Sequence, residues 1–154
     1  MFPKLTIIGT TIVVCLLATG CGPSKVVQCN QLITTINKGN ALVNAKTSYD
    51  AAITNQLAGE LKEVAGQLES LELEDENLQQ FQNDFVQHFQ ELSQAFIQMS
   101  LALETSKQLE ASFEGRKKFN QAKTQLDLAG QTANKVATNK DGLQDRLVSY
   151  CQEK

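Results

Sequence analysis

Tryptophan is absent from this 154-residue chain, histidine occurs once, and proline occurs only at Pro3 and Pro23. Both prolines lie near the start, so nothing in the remainder (by length about one ordinary domain) forbids long helices. Strand signals are also missing: there are no alternating Val, Ile or Tyr runs bounded by turn pairs. The chain holds no glycine-rich phosphate loop, no G-x-S-x-G elbow and no C-x-x-C pair. With a single His88 and no nucleophile beside a base, hydrolytic chemistry has no foothold. The sequence therefore nominates no catalytic residue, no metal site and no cofactor. Charge is scarce and slightly acidic, with 14 basic against 17 acidic side chains. That balance, with no basic block, argues against nucleic acid and against holding anionic lipid through charge.

What the chain does have is helical periodicity. Leu78, Phe85, Leu92 and Met99 are spaced by seven, and Phe89, Phe96 and Leu103 form a second row. Phe81, Val86, Ala95 and Ala102 widen this into one apolar face of an amphipathic helix. Glu74, Asp75 and Glu76 suit its N-terminal end, and the pattern predicts a helix from about Asp75 to Leu109. Before it, Val26, Ile33, Ile36, Leu42, Tyr49, Ile53, Leu57, Leu61, Val64 and Leu68 recur at threes and fours, with Gly39-Asn40 as the one break signal. After it, Phe119, Ala122, Leu126, Ala129, Ala133, Val136, Leu143, Leu147 and Tyr150 repeat the stripe, weakest at Thr138 to Gly142.

Short connections near Leu73-Glu74 and Ser112 to Gly115 imply antiparallel neighbours. The expectation is all-α: an elongated antiparallel bundle of three long helices, or of four or more if the chain breaks near Gly39 and Gly142. Each stripe is too marginal to stand alone, so the stripes bury one another. Acids gather at the end of the first segment and the start of the second, from Glu60 to Glu76. Bases are richer in the third, at Arg116, Lys117, Lys118, Lys123, Lys135 and Lys140.

The segment before Cys21 differs from the rest. Lys4 gives a positive start, Leu5 to Ala18 is apolar, and small residues precede the cysteine. That order is the pattern of a secretory signal peptide. The apolar run is shorter than the roughly 20 residues of a membrane span and is interrupted by Gly9, Thr10 and Thr11. Leu17-Ala18-Thr19-Gly20-Cys21 resembles the lipobox of bacterial lipoproteins, although the place usually held by Leu, three before the cysteine, holds Ala18. The resemblance implies a signal peptide over 1–20, a diacylglyceryl group on Cys21, a tether over 21–25 and a bundle over 26–154. It places the chain on the extracytoplasmic face of a membrane. Gly22 is not the retention aspartate of enteric lipoproteins, which favours the outer membrane where the host has one. Two acyl chains at ~0.8 kcal/mol per buried methylene make a stable anchor. Cutting before Cys21 also removes Lys4, the one charged residue of the leader, so the mature chain is one charge more acidic than the −3 of the whole.

Cys29 and Cys151 then remain, one near each end. An oxidising compartment favours pairing them, whereas three helices of ~35 residues would hold them about 50 Å apart. A disulfide needs Cα atoms within ~7 Å. The thiols are therefore unpaired, paired between chains, or brought together by fold-backs at Gly39-Asn40 and Asn139 to Gly142.

Two further candidates are weaker. Asp84 and Glu91 flank His88 on one helix face, a set with the chemistry to hold a divalent metal. Di-iron bundles use Glu-x-x-His twice with two more glutamates; here the order is reversed and single, and a boundary histidine between Phe85 and Phe89 is the plainer account. Gln79, Gln80, Gln82, Gln87, Gln90, Gln94 and Gln98 form an uncharged polar face suited to a partner or to self-association. The Cys29-Asn30-Gln31-Leu32 start, the Leu71-Glu72-Leu73 turn and the Tyr150-Cys151 end resemble small helical-bundle lipoproteins of bacterial envelopes. The expected role is a non-enzymatic, lipid-anchored interaction or assembly module with an envelope protein partner; the alternative is a small-ligand or metal-binding bundle.

Overall fold

The computed structural model describes residues 23–45, 50–107 and 112–153. They form α1 (Lys25–Ala45), α2 (Ala51–Glu69), α3 (Glu76–Lys107) and α4 (Phe113–Gln152). Among the described residues the fold is an all-α bundle of four helices. Cys21 and the segment 1–22 lie outside the described residues, as do Tyr49 and Leu109.

Capping explains the starts. Asp50 is extended and its side chain accepts from the Ala52 and Ile53 N–H groups at 2.9 and 3.2 Å. Ser112 accepts from the Gly115 N–H at 2.9 Å, and Asp75 from Leu78 at 3.0 Å. Each satisfies donors that a helix start leaves without partners.

The helices alternate in direction. Along the α2–α3 seam, the Ser100, Ser93 and Gln82 side chains donate to the Ala51, Ala58 and Leu68 carbonyls at 3.0, 2.7 and 2.6 Å. One series rises as the other falls, so the pair is antiparallel. Cys29 meets Cys151 while Asn40 meets Gln144, which makes α1 antiparallel to α4. The rise per residue sets the helix lengths: α4 extends about 60 Å and α3 about 48 Å, but α1 and α2 only about 30 Å each. The shorter pair covers the proximal part of the long α3–α4 hairpin.

The core fills that proximal part. Leu32 and Ile36 of α1, Leu61 and Leu68 of α2, Phe85 and Phe89 of α3, and Leu147 of α4 are all essentially inaccessible. Burying side chains of this kind stabilises by ~1.5–3 kcal/mol apiece. Phe89 packs onto Gly39, where an added Cβ would stand 2.4 Å from the ring.

Three expectations need correction. The chain does not break at Gly39-Asn40; α1 runs through it, because Gly39 is the hole that Phe89 fills, and α1 ends instead at Ala45, with α2 starting at Ala51. Nor does the chain break at Gly142. Ala122, Ala129, Val136 and Leu143 are buried at sevens and carry α4 straight past a glycine whose helical cost is only ~1 kcal/mol. Finally, Ile53 and Phe119, assigned to apolar stripes, are 42% and 49% exposed, and Gln82, assigned to the polar face, is buried.

Candidate functional site

The proximal end is the most heavily cross-linked part of the molecule. Cys29 and Cys151 form a disulfide, with Cα atoms 5.9 Å apart. One residue earlier, Gln28 is buried and spans two neighbours. Its Oε1 accepts from the Glu74 and Asp75 N–H groups at 2.7 and 3.1 Å, and its Nε2 donates to the Pro23 carbonyl at 2.7 Å. Gln82 closes the same turn, donating to the Leu68 and Leu71 carbonyls. Backbone groups shut from water without a partner cost ~1–3 kcal/mol each, and these side chains supply the partners here.

Tyr150 forms the second tie at this end. Its hydroxyl donates to the Asp75 carboxylate at 2.8 Å and accepts from Asn77 Nδ2 at 3.1 Å. Lys25 Nζ lies 3.8 Å from the centre of its ring, a cation–π contact between the first turn of α1 and the last of α4. Partial burial of Asp75 would raise its pKa, but the Leu78 N–H, the Tyr150 hydroxyl, the Asn77 N–H and the Lys25 charge together hold it below the usual carboxylate value. The hydrogen bond to Asp75 in turn pushes the Tyr150 phenol up. At the other end of α2, the Lys107 ammonium, 3.0 Å from Asp50, lowers that carboxyl along with the capping N–H groups.

His88 is 6% exposed and stands edge-on to Phe85 and Phe89, with ring centroids 6.4 and 5.1 Å away. Asp84 and Glu91 are exposed and share a shallow groove with Lys140 and Arg146. Those cations oppose a metal, and among the described residues no group of three or more His, Cys, Asp or Glu side chains is placed to hold one. The aromatic row is divided: Phe85 and Phe89 are core, while Phe81 and Phe96 are half-buried against it. Phe81 also touches Tyr150.

Of the glutamine face, Gln94 and Gln98 flank a groove between α3 and α4 whose floor is Ala95 and Ala129. Gln87 and Gln90 are engaged by Glu91 and Glu69. The sequence reading missed the Gln28 clamp and the Asp75–Tyr150 tie. Asp50 also escaped it as a cap, although an Asp directly before Ala51-Ala52 is a recognisable start signal.

The chain matches no family model, no curated protein and no solved structure. No helix among the described residues is long and apolar enough to cross a membrane.

Proposed function

We propose that this chain is a lipid-anchored, non-enzymatic protein of the bacterial envelope, held by a diacylglyceryl group on Cys21 and acting as an interaction or assembly module for an envelope protein. The observation that carries the reading is the Cys29–Cys151 disulfide. Such bonds persist in oxidising compartments outside the cytosol, which agrees with the export leader over residues 1–20.

The mechanical arrangement supports the same reading. Pro23, two residues after the proposed anchor, is gripped by Gln28. A pull on the tether would reach α1, and the disulfide would pass it to α4. The α3–α4 groove, with its apolar floor and with Gln94 and Gln98 on its flank, offers a partner a surface with little charge to desolvate.

Intact mass of the protein taken from the membranes of the cell that makes it, with and without reductant, tests the proposal. Residues 21–154 with a diacylglyceryl group and further acylation are expected, gaining two daltons on reduction. An unmodified or differently cut chain overturns the anchor.

A further inference from the structure

We propose that the first turns of α4, at the pole of the bundle opposite the disulfide, dock on an anionic phospholipid bilayer. The start of α4 packs on the bundle through Gly115 and Ala122 and is otherwise open to solvent. Residues 116–121 are exposed without interruption over more than one and a half turns, bounded by buried Gly115 and Ala122. At 100° per residue, Arg116, Lys117, Lys118 and Phe119 point round the whole circumference of the helix. Phe113, at the outermost turn, is 79% exposed, Phe119 is 49% exposed, and Leu101 on the facing helix of the hairpin is 56% exposed.

Side chains this exposed add little to the core. Phe113 and Phe119 are interleaved with Arg116, Lys117, Lys118 and Lys123, opposed by Glu114 within 112–123 and by exposed Glu104 on the facing helix. Basic side chains beside bare aromatics are the combination that an anionic interface rewards, with the charges at the headgroups and the rings below them. An acidic peptide would be held by the charges but gives Phe113 no enclosure, because the hollow it shares with Arg116, Lys117 and Asn120 is an open face of α4.

The rest of the molecule favours the same orientation. Glu69, Glu72, Glu74 and Glu76 are exposed at the opposite end, so an anionic surface repels one end and attracts the other. The chain's net charge of −3 conceals this separation, and the fold sets the two clusters at opposite poles. The docking does not depend on lipid at Cys21.

Because the chain has no tryptophan, Phe113→Trp introduces a single reporter. The full-length variant is reconstituted into phosphatidylcholine vesicles. These are mixed with separate acceptor vesicles of phosphatidylcholine and phosphatidylglycerol that carry brominated acyl chains. We expect the indole emission to shift blue and to be quenched at least twofold. Adding R116E, K117E and K118E should weaken the apparent affinity for the acceptor vesicles on the order of 100-fold, from the loss of three interfacial cations, with an unchanged helical spectrum and an intact disulfide. Absence of quenching overturns the proposal, as does equal quenching by uncharged acceptors. A shift produced by poly-glutamate but not by lipid reassigns the tip to an acidic protein, and a concentration-dependent shift without acceptors reassigns it to a second copy. Flotation with the donor vesicles reads the anchor at Cys21 separately, so the two proposals fail independently.

Discussion

Cutting the disulfide gives the sharpest test of how the bundle is held together. Cys29 and Cys151 are separated by 122 residues, so the bond constrains nearly the whole unfolded chain. The chain-entropy model assigns a loop of that size about 5 kcal/mol. A total stability of ~5–15 kcal/mol is usual for a domain, which makes this one covalent bond comparable to the margin of folding itself. With a urea dependence of ~1–3 kcal/mol per molar, the oxidised protein should unfold at a midpoint about 2 M or more above that of the Cys29→Ser/Cys151→Ser double variant. Circular dichroism under urea measures it directly. The loss should fall unevenly. Apart from the bond, α1 reaches α4 through polar contacts such as Asn40 to Gln144 and Lys140 to Asn40, whereas α2 and α3 share a buried seam. Amide exchange in the reduced protein should therefore accelerate first in α1. A midpoint shift below about 0.5 M would refute the reasoning, because the denatured chain would then be constrained by something other than the bond. Uniform acceleration across all four helices would refute the uneven part.

Five other outcomes follow from single sites. Gly39→Ala should destabilise by ~1–3 kcal/mol through overpacking against the buried Phe89 ring, whereas Gly59→Ala, exposed in mid-helix with nothing within 4 Å, should stabilise by up to ~1 kcal/mol; thermal melts give both signs. Phe85→Ala should cost ~3–5 kcal/mol, since the ring is fully buried. Because the folded pKa of Asp75 is depressed, its stabilising effect is present above the unfolded value near 3.9 and disappears as pH falls through the lower folded value; Asp75→Asn should flatten the stability profile below about pH 4. The raised phenol of Tyr150 has the opposite sign, contributing below pH ~10 and losing that contribution as pH climbs through the higher folded value, so Tyr150→Phe should remove an alkaline decline seen in the native protein.

How far the sequence could be read depended on what kind of signal each feature leaves. Stripes of apolar residues at threes, fours and sevens announce helices with certainty of type, and the buried faces of α2 and α3 match them. Composition also set the class, since no proline follows Pro23. Breaks leave a fainter signal. Both glycine-containing stretches looked like hinges, yet a glycine ends a helix only where neighbouring residues stop being buried. Gly39 is retained because a ring occupies its missing side chain, and Gly142 is carried by the sevens on either side. The true break is marked by a cap, Asp50, whose chemistry is local and readable but which sits inside an uninterrupted stripe. The ties at the proximal end were illegible for another reason. Gln28, Asp75 and Tyr150 are ordinary polar residues far apart in the chain; the antiparallel pairing of α1 with α2 brings Gln28 to the Glu74–Asp75 turn, and the return of α4 brings Tyr150 to Asp75.

Parity links these misses to the cysteines. In a bundle of up-and-down helices, an odd number puts the chain's two ends at opposite poles and an even number puts them at the same one. Cys29 lies in the second turn of α1 and Cys151 in the last turn of α4, and a disulfide tolerates ~7 Å between Cα atoms, far less than the ~30 Å rise of even the shorter helices. Short of terminal pieces folding back, an intramolecular bond between them therefore requires an even number of helices. Three stripes plus that one covalent fact imply a single additional break, and it falls in the first segment, which divides into α1 and α2 of nearly equal length. The bond specifies the count, the count demands the break, and Asp50 is the best cap near the middle of that segment. Two fold-backs, at Gly39 and Gly142, would give five helices and send the ends apart again unless both terminal pieces turned inward. The four-helix solution meets the same constraint with one break and leaves α4 whole, and it is α4's full length that carries Phe113 to the pole opposite the disulfide.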